Sequence, residues 1–502
     1  MELPTRTSST WEQAGVSKES ALRGIPASRI SKFAGAGTCT FGARPRSLFI
    51  RSPISSLARK FFSRQDVDQR VGSLRVFESP GKGVDMIRFL FVSVAFVTLI
   101  LFPIVAEADG HLDLNTDLRL RWEYSSPWDP GEPGDTVTMM RTHVGMNTDF
   151  TDNIHFMLGV LDSRSLSGQD DPEIGDGVPG VHQVHVQVAD LSRLHESLGF
   201  LAGWSLGLGR SELPNYGNGR IIHSAEWSNV GPATADGYHL ASQFLDGALD
   251  LNIHYLTLAK DPTGAAGSGD HFYGAHLDVD SLPFIEASFY YWKYRADLAN
   301  AAAAAANGLA DPGSSDEDTY GYLFTLRDGI IPRVGVTFEY ALQDGNRYDA
   351  LDDGAIQKLD SLYFAFEGTY DMPQMAGFWD MDWRAGHIMA TGTAAGATRE
   401  EAFRSVFGTP HGTHGIADVV DNSNIRDTYF GFSTVLYEAD VALSFHNLRA
   451  DQGEDWGNEW DLVVSHPLGD LLDLEVGLAN FTSTSSLRES TDFIYAQTYW
   501  QF

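Results

Sequence analysis

The sequence predicts an all-β chain: a transmembrane antiparallel β-barrel of about eighteen strands, with short periplasmic turns and long extracellular loops. Three observations predict it. Apolar and polar side chains alternate with period two through most of residues 109–502. The connections between the alternating segments are short and long in turn. The last alternating segment closes on an aromatic residue, Phe502. Composition narrows the choice further. With 67 acidic against 35 basic residues, a net charge of −32 and one cysteine in 502 residues, a basic nucleic-acid binder and a disulfide scaffold are both excluded.

Residues 1–85 are rich in Ser and Arg, hold Cys39 and 14 of the 35 basic residues, and show no sustained apolar period. They read as a disordered extension or as upstream sequence translated in error, with Met86 as the initiator. Residues 86–108 read as a secretory signal peptide. Met86-Ile87-Arg88 is the positive start, Phe89 to Ile104 is an almost unbroken apolar run, and Val105-Ala106-Glu107-Ala108 ends in a small-x-small cleavage pattern. The rival reading is one short transmembrane helix. Residues 109–502 then carry 20 basic and 59 acidic residues and no cysteine, which suits an oxidising compartment.

In Leu112 to Tyr124, Leu112, Leu114, Leu118, Leu120, Trp122 and Tyr124 share one face, while Asp113, Asn115, Asp117, Arg119, Arg121 and Glu123 share the other. Met140, Val144, Met146 and Phe150 oppose Arg141, His143, Asn147 and Asp149 in the next segment. Continuing in this way places strands near 112–124, 136–150, 153–165, 180–190, 200–212, 234–245, 248–260, 270–280, 283–296, 318–328, 333–344, 358–371, 378–390, 425–437, 439–450, 457–466, 471–483 and 491–502. Tight turns (Thr151-Asp152-Asn153, Asp246-Gly247, Ser281-Leu282, Tyr437-Glu438) alternate with long polar loops (166–179, 213–233, 297–317, 345–357, 391–424). That rhythm is the one a bacterial outer-membrane barrel requires. In lipid every backbone group must be paired, so a closed barrel is the only all-β way to span. The final strand, ending at Phe502, resembles the signal read by the barrel assembly machinery, an expected partner. Eighteen strands enclose an aqueous lumen, so the expected function is passage.

Only Lys260, Lys293 and Lys358 are lysines after residue 108, so the positive charge there is mostly arginine. A guanidinium fork grips carboxylates, phosphates and sulfates in a way an ammonium does not. Arg119, Arg121 and Arg141 have the non-lipid parity. Arg164, Arg210, Arg220, Arg295, Arg327, Arg384 and Arg426 fall within or beside predicted strands. Each could also simply brace the wall against a neighbouring carboxylate.

Residues 206–237 read LGLGRSELPNYGNGRIIHSAEWSNVGPATADG. This resembles the alginate export family, in which a strand ends in Gly-Arg-x-Glu-Leu and a loop follows with Gly-x-x-Arg, a Trp and a closing Asp-Gly. The matching residues are Gly209, Arg210, Glu212, Leu213, Gly217, Arg220, Trp227, Asp236 and Gly237. Leu161-Asp162-Ser163-Arg164 and the 407–418 loop FGTPHGTHGIAD, with His411, His414 and Asp418, agree with the same family. Leu161, Ser211 and Pro214 depart from its pattern. The resemblance covers about 110–502 and implies an eighteen-stranded barrel whose arginine-rich constriction passes an anionic polysaccharide such as alginate outward. It also implies a monomer. The alternative on the same barrel is a general or uptake porin for small anions or sugars.

Parity puts Arg210 with Trp204, Leu206 and Leu208 on the lipid side, so it is expected at a strand end or turned inward by a bulge. The acids are expected on outer loops, among them Asp316, Glu317, Asp318, Asp451, Glu454 and Asp455. His411, His414 and Asp418 are read as a loop packed into the lumen by histidine hydrogen bonds, with no metal. Thr398-Arg399-Glu400-Glu401 has the form of a capping box and predicts a short helix there. Adjacent His223 and Ser224 would face opposite sides of a strand, and no nucleophile and base meet elsewhere, so no enzyme and no cofactor are expected.

Overall fold

The structure, a computed structural model, describes residues 112–126, 134–167, 179–213, 219–221, 234–258, 271–297, 314–327, 329–348, 356–372, 380–405, 411–486 and 488–502. The readings of 1–85 and 86–108, and of Gly217 and Trp227, lie outside the described residues.

Eighteen antiparallel strands form one sheet: β1 (Leu112–Ser125), β2 (Asp135–Thr151), β3 (Ile154–Ser165), β4 (Gly180–Val188), β5 (Trp204–Glu212), β6 (Thr234–Phe244), β7 (Leu249–Leu258), β8 (His271–Val279), β9 (Ile285–Asp297), β10 (Ser314–Leu326), β11 (Val334–Tyr348), β12 (Ile356–Met372), β13 (Met381–Ala390), β14 (Ile425–Leu436), β15 (Ala439–Arg449), β16 (Gly457–Pro467), β17 (Leu472–Ser483) and β18 (Thr491–Gln501). Every strand pairs with its sequence neighbours, and β1 pairs with β18, so the sheet closes. The closing register runs from Asp117 opposite Gln501 to Ser125 opposite Phe493. Phe502 extends the seam, its amide donating to the Thr116 carbonyl at 2.9 Å and its carbonyl accepting from the Thr116 amide at 3.2 Å. Closure leaves no sheet edge, which is what lipid demands.

Alternation sorts the two faces. Leu114, Leu120, Trp122, Val144, Leu208, Phe289, Leu342, Phe366, Phe430, Phe445 and Trp460 are exposed on the outside, which in a membrane is contact with acyl chains and headgroups. Outer aromatics stack across strands: Tyr238 on Tyr255 at 5.3 Å and Tyr322 on Tyr340 at 5.4 Å between ring centres. The polar residues of the same strands face inward. An outward apolar band on a closed barrel defines an integral protein of the bacterial outer membrane.

Three expectations change. The connection between β4 and β5 is long. Asp190 caps a 3-10 turn at Leu191–Arg193 and His195 caps another at Glu196–Leu201, so β5 starts at Trp204. The β10 strand begins at Ser314, which takes Asp316, Glu317 and Asp318 out of the loop and into the sheet. The helix expected at 398–401 is absent. Glu400 instead makes a parallel bridge with Leu359 of β12, and Thr393 Oγ1 accepts the amides of Glu401 and Ala402 at 2.9 Å each. The donors a helical turn would leave free are met by a threonine and a strand.

Candidate pore constriction

The two strands at the seam bring three arginines to one patch of inner wall. Register places Arg119 opposite Arg141 of β2 and Tyr499 of β18, and Arg121 opposite Gln497. The three are 4, 5 and 9% exposed. Arg121 Nε lies 2.6 Å from Glu123 Oε1, and its Nη2 lies 3.9 Å from Met139 Sδ. Below them Asp117 holds His143 at 3.2 Å. Glu123, Glu475 and Asp418 offset part of this charge, and three guanidinium groups remain gathered on one patch of wall, a grouping that an anion can use.

Further round the wall, Arg384 on β13 stands over the Tyr429 ring, 5.5 Å from its centre. Arg220 reaches in from the loop after β5 and donates to Glu367 Oε2 at 2.8 Å and Tyr429 Oη at 3.2 Å. The Tyr429 hydroxyl also donates to Glu367. Beside them Tyr290 donates to Glu339 at 3.1 Å. Nearer the extracellular end, Arg347 grips Glu317 with both arms of its fork, at 3.1 and 2.9 Å, and donates to the Ala402 carbonyl at 2.8 Å. Arg404 adds a weaker contact to Glu317 at 3.7 Å.

The loop between β13 and β14 folds into the lumen along with Arg220. Its first part runs beside β12. Phe403 is fully buried on Tyr363, 5.3 Å between ring centres, and Ser405 Oγ donates to the Ile221 carbonyl at 2.8 Å. Its second part is tied down by histidines. Asp427 accepts from His414 at 3.1 Å and from His446 at 2.8 Å, His411 meets Asp418 at 2.8 Å, and the Ala417 amide donates to Glu459 at 2.9 Å. Among the described residues no group of three His, Cys, Asp or Glu is arranged to hold a metal ion.

Two of the arginines expected in the lumen face outward. Arg164 pairs with Asp162 two residues before it on the outer face of β3, because both share the parity of Phe156, Leu158 and Val160. Arg210 lies near the upper end of β5, with the outward residues its parity implied. It forms a two-pronged pair with its register partner Asp236 of β6, at 2.9 Å on both arms, and donates to the Val181 carbonyl at 3.3 Å. No register shift interrupts β5, so nothing turns the side chain inward. Glu212 sits at the top of β5 and meets His182 at 3.0 Å, a contact at the mouth of the barrel. The motif glycines Gly209 and Gly237 are register partners. Gly209 has φ +124, and a Cβ there would run into the Val184 carbonyl, while one on Gly237 would meet the Tyr255 carbonyl. Crowded backbone explains these two glycines without a ligand.

The acids are not confined to loops. Glu317, Glu339, Asp427, Glu459 and Asp461 are each at most 2% exposed on the inner wall. Arg347, Arg404 and the inward histidines His182, His254, His276 and His446 are additions to the sequence reading, and His143 lies on the inward face its parity implied. Arg347 continues the inward parity of Glu339, Ala341 and Gln343, and it was hidden because β11 runs four residues past its expected end. The histidines carry only the parity signal, as where His239 and His254 stack across β6 and β7 with rings 4.6 Å apart.

The site is therefore a constricted lumen in an integral outer-membrane β-barrel. No family model matches this chain, and no curated protein does. Among solved structures it is similar to the outer membrane protein OpdK from Pseudomonas aeruginosa, with 13% identity, a TM-score of 0.51, 78% of this chain and 98% of that one covered. It is similar also to OccK9 (OpdG) from the same organism, with 13% identity, a TM-score of 0.50 and the same coverage. At this identity the likeness shows the fold.

Proposed function

We propose that the protein is an outer-membrane channel for small anionic solutes, carboxylates above all. The observation that carries this reading is the convergence of Arg119, Arg121 and Arg141 on one patch of the inner wall of a closed barrel. A guanidinium fork meets a carboxylate with two parallel hydrogen bonds, and three forks on adjacent strands give an anion successive partners. The folded-in loops favour a small solute. Their described residues Leu213, Ile221, Phe403, Ile416 and Val419 are buried in one apolar cluster with wall residues such as Tyr363.

A second reading is export of an anionic polysaccharide such as alginate. It is favoured by the order of Gly209, Arg210, Glu212, Arg220, Asp236 and Gly237. It asks the two inserted loops to withdraw, since a polymer needs a continuous bore. One experiment separates the two. Proteoliposomes holding the purified chain are loaded with a small radiolabelled carboxylate, or with oligomannuronate of increasing length, and efflux is followed. The small-solute reading expects efflux of the single carboxylate and exclusion of the longer oligomers. Efflux of the long oligomers at a comparable rate would favour export. Efflux of neither, in vesicles shown to hold folded barrel, would remove the channel reading.

A further inference from the structure

The 411–424 segment occupies the lumen through contacts that depend on charge. Asp427 of β14 is fully buried and accepts from His414 of the loop and His446 of β15 through the same carboxylate oxygen, Oδ2. His446 turns its other nitrogen toward Asp461 of β16, 3.7 Å away. Glu459, two residues before Asp461 on the same inward face, is 1% exposed, takes the loop's Ala417 amide and lies within hydrogen-bond reach of Asp461. Gly415, with φ +101, passes so close to the Glu459 carboxylate that a Cβ would collide with it. The loop is therefore seated on the acids, not merely near them.

The charged surroundings come from each element packed against the loop. The loop brings His411, His414 and Asp418, β14 brings Asp427 and Tyr429, β15 brings His446, and β16 brings Glu459 and Asp461. On the far side stand Glu475 of β17, which is electrostatically coupled to His411 and to Arg119, and Tyr495 of β18. Arg121 of β1 feels Asp418, and Arg384 of β13 faces Tyr429.

We propose that residues 411–424 are a proton-sensitive plug, held in the lumen while the His414–Asp427–His446 and Glu459–Asp461 cluster is protonated and released as it loses protons. The proposal rests on the channel reading above and adds a control to it. Protonation sets imidazolium charge on the loop and β15 against Asp418, Asp427, Glu459 and Asp461, the carboxylates on which the loop is seated. Loss of those protons leaves four carboxylates around neutral rings, more than Arg121 and Arg384 beside them offset, and like charges buried side by side repel. Water entering to solvate them separates the loop from the wall.

The test is the conductance of the purified full chain in planar bilayers at pH 5 and pH 8, with two variants. Conductance of the unaltered chain is expected to be about tenfold lower at pH 5 than at pH 8. Glu459→Gln keeps the acceptor for Ala417 and gives Asp461 a permanent donor, so it is expected to stay low at both pH values. Replacing residues 411–421 by Gly-Ser-Gly is expected to leave a channel open at both. Hydrogen exchange of peptides covering 411–424, corrected for the intrinsic pH dependence, should quicken at pH 8 in the unaltered chain and not in Glu459→Gln. A flat conductance in the unaltered chain, or a pH step that survives the loop deletion, would overturn the plug while leaving the channel reading intact. A folded loop-deleted barrel that never conducts would overturn both.

Discussion

The pair between Arg210 and Asp236 offers a direct check on which way the β5 strand faces. Both arms of the guanidinium lie 2.9 Å from the carboxylate oxygens, on the outer surface near the strand tops. The side chains are 28 and 52% exposed, so headgroup water screens the pair and its full low-dielectric attraction does not apply. A two-pronged pair at such a boundary is worth about 1 to 2 kcal/mol, above the usual surface pair because of its geometry. Arg210→Ala leaves Asp236 charged beside the lipid, and Asp236→Ala leaves the arginine there. Each change is expected to cost about 2 kcal/mol, while the double change costs little more than either one. The assay is a double-mutant cycle on unfolding in urea from lipid vesicles, with the change in slope checked before free energies are compared. Costs that add to within about 0.3 kcal/mol would mean the two side chains do not meet. A shift in ion selectivity in Arg210→Ala would mean that the arginine faces the lumen after all.

Other perturbations test other parts of the structure. Arg121→Ala removes one of three clustered charges, and with an effective dielectric of about 40 at roughly 6 Å its loss weakens anion binding by about 1.4 kcal/mol, near tenfold. Anion-to-cation permeability from reversal potentials should fall accordingly, whereas Arg164→Ala, on the outer face, should leave it unchanged. Arg220→Ala strands Glu367 without its 2.8 Å partner, so the 219–221 segment should detach from the wall, which hydrogen exchange would register. Glu454, in the loop after β15, is held below the usual glutamate range by the Ser486 amide and the Ser486 and Ser485 hydroxyls. Its tether is complete above the ordinary glutamate pKa of about 4.3 and is lost as pH falls through the lower folded value. A carboxyl carbon NMR titration should place its midpoint below 4.3, and Ser486→Ala, which removes one hydroxyl, should raise it. Deleting Phe502 removes the two backbone bonds to Thr116 that extend the β1–β18 seam, and heat-modifiable mobility on gels should show slower barrel formation.

The fold was legible because lipid enforces period two with little tolerance. A polar residue facing the middle of the bilayer is costly, so alternation holds through the central part of each strand, and each of the eighteen strands overlaps the segment where alternation places it. The ends were less legible. Outside the bilayer alternation is no longer enforced, so β10 continues through Ser314-Ser315-Asp316-Glu317 and β11 through Gly345-Asn346-Arg347-Tyr348, segments whose polarity reads as loop. The arginine patch of β1 and β2 was visible from parity alone. Arg164 and Arg210 were not placed by residue type, since an arginine and an acid on the lipid side can pair with each other near the interface as well as in the lumen. The inserted loop was half visible. His411 and His414 suggested packing by hydrogen bonds, and His411 does meet Asp418 of its own loop, but Asp427, which holds His414, Glu459, which holds Ala417, and His446, which shares Asp427, come from three different strands, and no spacing along the chain brings those together. The Thr398 capping signal failed because Thr393, five residues earlier, satisfies the same amides from across the loop.

The central claim is a conducting barrel whose seam arginines set its preference for anions. The measurement that tests it most directly is the reversal potential of the purified chain in a potassium chloride gradient at pH 8, with and without Arg121→Ala. Anion preference that falls several-fold in the variant is the expected result. Cation preference unmoved by the substitution would show that the buried carboxylates rule the lumen, and it would contradict the account.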